Sequence, residues 1–162
     1  MKRASKTRTR ARTAKTNRAA PTGSASAPAL ATKLAKAFHA LARDLTNPAD
    51  ESTDYFHPFV APLSPDVKLD AQSFQRALAI GGRFKVDLSP AESLLAGAVD
   101  PDNMGEETAE GFRLLEKVMR ATLSELSVAV ARAHGVVRVR MRLFGRSDDG
   151  SLVGLRSMST ET

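Results

Sequence analysis

Residues 136–162, VVRVRMRLFGRSDDGSLVGLRSMSTET, decide the fold of this chain. Strict alternation sends Val137, Val139, Met141 and Leu143 to one face of an extended segment and Arg138, Arg140 and Arg142 to the other. Ser147-Asp148-Asp149-Gly150 then supplies a reversal, because Asp and Gly tolerate the backbone angles that a tight turn needs. The reading is a β-hairpin that runs almost to the last residue and holds a short polar tip, Glu161-Thr162, close to folded structure.

Upstream, the period of the apolar residues changes. ETAEGFRLLEKVMRATLSEL reads as a long helix with Phe112, Leu115, Met119, Leu123 and Leu126 on one side, broadened by Leu114 and Val118. Glu106, Glu107 and Glu110 crowd its first turns, where negative charge suits the helix dipole. SVAVARA follows as a strand. ALATKLAKAFHALARDL is another helix, with Leu30, Leu34, Phe38, Leu41 and Leu45 as its inner stripe and Pro48 as its stop. PFVAPL is at best an edge strand, since Pro58 and Pro62 cannot donate ladder hydrogen bonds. DAQSFQRALAI is a second helix that buries Phe74 and Leu78 and ends at Gly81-Gly82. RFKVDL is a strand, and SPAESLLAGAV a short helix with Pro90 in its first turn. Together these elements predict an α/β fold, an α/β/α sandwich in which helices pack on a small, mostly antiparallel sheet.

The formal charge of +6 is unevenly spread. Lys2, Arg3, Lys6, Arg8, Arg10, Arg12, Lys15 and Arg18 all precede residue 29, where no acid occurs; the remainder holds 16 cations against 18 acids, a balance of −2. Residues 1–28 carry no large apolar side chain after Met1 and end in PTGSASAP, so they read as a disordered basic arm and linker, with one domain over residues 29–162. There is no Cys, which excludes disulfides, thiol chemistry and Cys-based zinc sites. No apolar run is long enough to span a bilayer, and the basic N-terminus lacks the apolar stretch of an export signal, so a cytoplasmic protein without membrane contact is expected.

Motifs for chemistry are sparse. DPDNMGEETAEG places Asp100, Asp102 and Gly105 as a calcium loop would, but Met104 stands at the fifth position and Gly111 at the twelfth, where a bidentate Glu is required. An acidic helix start explains it better. His39, His57 and His134 have no partner at metal-ligand spacing, and no HExxH, GxSxG or phosphate-binding glycine loop occurs. His57, beside Tyr55, Phe56 and Phe59, reads as a packed ring. The expectation is a protein that is not an enzyme and uses no cofactor and no metal of its own.

The helix at residues 107–126, the strand SVAVARA, the hairpin and the terminal Glu161-Thr162 resemble the nuclease A inhibitor family. GSLVGLRSMSTET is similar to that family's Gly-x-Leu-x-Gly-x-Ser strand and Glu-Thr terminus, FKVDLSPAESLL to its strand and short helix, and DYFHPF to its Tyr-Pro-Phe segment. The resemblance spans residues 29–162 and implies the same α/β sandwich. It also implies a proteinaceous inhibitor of a sugar-nonspecific, metal-dependent endonuclease. In such inhibitors an acidic loop and the C-terminal Thr enter the nuclease active site, which points here to Glu51 or Asp54 and to Thr162, with Glu161 beside it. Thr162 would cap the partner's metal. One departure stands out: Arg138, Arg140 and Arg142 occupy a strand on which the family favours carboxylates. They read either as a solvated face or as stems lying under a helix with charges at its rim.

A different class of function is a nucleic-acid-associated protein that acts through its arm, since Lys/Arg interspersed with Ala and Thr suits sequence-indifferent phosphate contacts. If all eight arm cations engage duplex DNA, the slope of log K against log salt should approach about −7. Deleting residues 1–28 should abolish that binding; retained, equally salt-sensitive binding by residues 29–162 would assign it to the domain.

Overall fold

The computed structural model describes residues 27–48 and 54–160. The arm cations listed above, Glu51, Glu161 and Thr162 lie outside the described residues. Ten elements follow one another: α1 (Ala27–Leu41), β1 (His57–Ala61), α2 (Ala71–Ala77), β2 (Phe84–Pro90), α3 (Glu92–Ala98), α4 (Pro101–Met104), α5 (Glu106–Thr122), β3 (Ser124–Ala133), β4 (Arg138–Arg146) and β5 (Leu152–Thr160). The strands form one antiparallel sheet in the order β1-β5-β4-β3-β2. Helices pack on both of its faces, across the whole of one and at one end of the other, in the α/β arrangement that the sequence predicts.

The hairpin is built by its turn. Asp149 accepts hydrogen bonds from Ser147 Oγ, from Ser151 N at 3.1 Å and from Ser151 Oγ at 2.9 Å, and Gly150 takes a φ of 88°. Burial works to raise the Asp149 pKa, but these bonds outweigh it and hold the carboxyl below its ordinary value. The support it lends the turn is therefore present above the usual carboxylate range and fades as pH falls through the lowered value. This turn pairs Arg146 with Leu152 and carries the register through to Arg138 with Thr160. β5 is accordingly an interior strand, hydrogen-bonded to β4 on one side and to β1 on the other. β1, with Pro58, is an edge, as its prolines require.

On the first face, Val128, Met141, Leu143, Val153 and Leu155 pack against Phe38 of α1, Leu95 of α3 and Phe112, Leu115 and Met119 of α5. Two details depart from the sequence pattern. Of the predicted stripe, Phe38 and Leu45 are buried and Leu34 and Leu41 pack partly against the core, but Leu30 is 55% exposed, and Ala31, Ala35 and Ala42 are buried beside them. A face of small residues lets the helix backbone close onto the sheet, and that contact outweighs the burial of one larger side chain. Leu114 is likewise 49% exposed, and α5 stops at Thr122, so Leu126 packs from β3 instead.

The second face is covered at one end only. α2 is opened by a capping box, with Ser73 N donating to Asp70 Oδ1 at 2.8 Å and Asp70 N to Ser73 Oγ at 2.9 Å. It buries Phe74 against Phe144, with ring centroids 4.7 Å apart. α2 ends at Ala77, ahead of the expected glycines, and Ala79 takes the left-handed φ of 49°. Pro90 closes β2 and does not open α3.

Candidate functional site

The register places the central strand residues of the second face, and apart from Glu125 beside Arg146 at the covered end the acids of the strands lie elsewhere. β4 presents Arg138, Arg140, Arg142, Phe144 and Arg146; β5 presents Arg156 opposite Arg142 and Met158 opposite Arg140; β1 presents His57 opposite Arg156. From β2 and β3 come Phe84, Val86, Leu88, Ala129 and Ala131. None of these is acidic.

The arginines of β4 meet different fates along the strand. Arg146, at the end that α2 and the preceding loop cover, donates to Pro65 O at 3.1 Å and Val67 O at 2.6 Å and faces Glu125 at 3.3 Å. Arg142 is 8% exposed, sits 5.9 Å from the Phe59 ring and has neither Nε nor Nη1 hydrogen-bonded. Arg140 is exposed and lies 4.6 Å from the Phe84 ring. Arg138, exposed as well, stands 3.8 Å from Asp54. The expectation of a uniformly solvated or rim-emerging ladder therefore fails at Arg142. Its stem and the Nε and Nη1 of its head are buried, with the ring of Phe59 reaching toward it from β1, beyond β5.

Arg140, Arg142 and Arg156 line one cleft of about 410 Å³, together with Asp54, Tyr55 and His57. Burial, followed by the charges of Arg140 and Arg156, pushes the Arg142 pKa below its ordinary value. The sign matters for stability. At neutral pH Arg142 is charged in both folded and unfolded chains, and the lowered folded pKa means that this charge opposes folding throughout the accessible range. Replacing Arg142 by Met, which keeps the stem and removes the charge, should stabilise the protein by about 1 to 4 kcal/mol. Urea unfolding with an unchanged m-value is the check, and destabilisation would mean that the guanidinium is satisfied.

Neither a protein-family model nor a curated protein matches this chain.

Of the acids that the resemblance points to, Glu51, Asp54 and Glu161, Asp54 is the one whose position is described. Its carbonyl accepts from Asn47 N at 3.2 Å and from Ser157 Oγ at 3.1 Å, and Asn47 Nδ2 donates to Met158 O at 3.1 Å. A bridge between Thr46 and Tyr55 closes the base of the loop. Asn47 and Asp54, on either side of residues 49–53, are thus both tied to the last residues of β5. Asp54's own carboxylate is half-buried and turned to Arg138, the cross-strand partner of Thr160. His57 is exposed, not packed, and its ring lies 6.3 Å from that of His39. Asp100 caps α4 by accepting from Asp102 N at 3.0 Å. Among the described residues no His, Cys, Asp or Glu cluster could hold a metal, and no helix is long and apolar enough to cross a membrane.

Arg156 was missed in the sequence. The signal was available: a turn at residues 147–150 places residue 156 opposite residue 142, and so sets two like charges side by side.

Proposed function

We propose that this protein is an inhibitor of a sugar-nonspecific, metal-dependent endonuclease and acts by occlusion, not catalysis. What supports the reading is one juxtaposition. The anchors of the acidic loop, Asn47 and Asp54, hydrogen-bond to Met158 and Ser157 near the end of β5, across more than a hundred residues of sequence. A two-part plug would need the loop carboxylate and the chain end close together, and the described residues that flank the two segments meet at the end of β5.

Nucleases that cut phosphodiesters with a hard cation are blocked by oxygen ligands that replace the phosphate on the metal. Thr162 offers a hydroxyl and, where the chain ends there, an α-carboxylate. For the loop partner, Glu51 is the better candidate of the two, because Asp54 faces Arg138 and is tied through its backbone. The cytoplasm suits a chain without Cys. The test is titration of the full chain against such a nuclease, with Glu51→Gln and Asp54→Asn compared: Glu51→Gln should weaken inhibition and Asp54→Asn leave it near the parent value.

A further inference from the structure

Arg142 poses a problem that the inhibitory reading does not solve. A guanidinium carries five N–H donors and cannot shed its charge, so burial without acceptors is unfavourable unless something supplies them. Arg146, two pleats along the same face, meets that demand with two loop carbonyls. Arg146 Nε is itself without a hydrogen bond but lies 3.3 Å from Glu125, whereas Arg142 has an acceptor for neither Nε nor Nη1. The cleft it lines adds Arg140 and Arg156 against a single carboxylate, Asp54, which faces Arg138. No ion pair engages either of these two among the described residues. Three cations gathered around one hollow describe the complement of an anion.

We propose that this cleft is a binding site for a phosphate group, held by the buried Arg142 and the exposed Arg140 and Arg156. A phosphate suits it better than a carboxylate. A terminal phosphate has three free oxygens and a second negative charge with which to engage three guanidiniums, whereas a carboxylate offers two oxygens and one charge. A backbone diester has two free oxygens and one charge too, and gains only by placing successive phosphates along a strand. The cleft is also large enough for more than the bare anion. Its rim carries the exposed Tyr55, and a second hollow of about 340 Å³ shares Arg140 and adds Arg83, Phe84 and Arg138. The phosphate therefore arrives either on a small nucleotide or as part of a single-stranded nucleic-acid backbone that runs along both hollows, with aromatic rings for its bases. The site stands whether or not the protein inhibits a nuclease.

The test uses the full chain and reads the arginine Nε–Hε resonances, which separate the cleft from contacts made by the basic arm. Inorganic phosphate, adenosine monophosphate, a short oligothymidylate and acetate are titrated in turn, and the three resonances are assigned from Arg140→Lys, Arg142→Met and Arg156→Ala. Phosphate should shift Arg142 Nε saturably, and both Arg142→Met and Arg156→Ala should weaken binding about ten-fold or more. Arg113→Ala, on the outer face of α5, should not. Oligothymidylate binding more tightly than the nucleotide, with the same dependence on Arg142, would assign the phosphate to nucleic acid; equal affinities would assign it to small nucleotides. An Arg142 signal that ignores every phosphate probe, follows acetate as strongly, or gives affinities untouched by both variants would overturn the site.

Discussion

Replacing Gly154 by Val should destabilise the protein by about 3 kcal/mol or more, a larger loss than any surface substitution would bring. Gly154 lies within β5, between Phe144 of β4 and Phe59 of β1. A Cβ there would stand 2.6 Å from Phe144 Cα and 2.7 Å from its Cβ, and against the Leu143 carbonyl. Those atoms belong to the neighbouring strand and cannot swing aside as a side-chain tip would. The missing side chain also lets Phe59 and Phe144 close over the gap, with ring centroids 6.3 Å apart, so the glycine is part of how the second face packs. Urea unfolding checks the prediction, with Gly97→Ala as a contrast. Gly97 is in α3 with nothing within 4 Å of its added Cβ, and that change should be neutral or mildly stabilising. A midpoint for Gly154→Val equal to the parent's would mean that β5 does not sit between β1 and β4 as described.

The second large effect concerns the chain end. On the proposed inhibitory reading, and where the chain ends at Thr162, a C-terminal extension should weaken nuclease inhibition by about one to two decades, because it would displace a charge-assisted contact worth about 1.5 to 3 kcal/mol and force extra residues into a closed cleft. An N-terminal tag should be harmless by comparison. The fold should survive both, since the hairpin core is complete by Thr160, where β5 ends. Inhibition measured side by side for the two tagged proteins, with far-ultraviolet circular dichroism to confirm folding, separates loss of contact from loss of structure.

Much of this architecture was legible because it is local. The alternation of residues 137–143 and the Asp-Gly turn define β4, its turn and the start of β5, and the prolines at 58 and 62 mark β1 as an edge. The inner face of α1 was harder to read. Leu34 and Leu41 of its stripe pack only partly and Leu30 is exposed, while the alanines beside them are fully buried, a choice made by how closely a helix approaches and not by hydrophobicity alone. Arg142 was misjudged for a related reason. Alternation names its face, but which stretch of that face is covered depends on Phe59, eighty-three positions earlier, and on β5 pairing with β1. The loop carboxylates were picked out by resemblance alone. What sequence could not foresee is that Asn47 and Asp54, on either side of residues 49–53, would hydrogen-bond to Met158 and Ser157 of the last strand.

The most direct measurement of the central claim is a stoichiometric titration of the full chain into a sugar-nonspecific, Mg²⁺-dependent endonuclease encoded by the same genome, with DNA and RNA cleavage followed in parallel. Occlusion of a shared active site predicts that both activities fall together to zero at one inhibitor per nuclease, and that saturating Mg²⁺ does not restore them. Undiminished cleavage of both substrates at excess inhibitor, or protection that follows the substrate concentration and not the nuclease concentration, would contradict it.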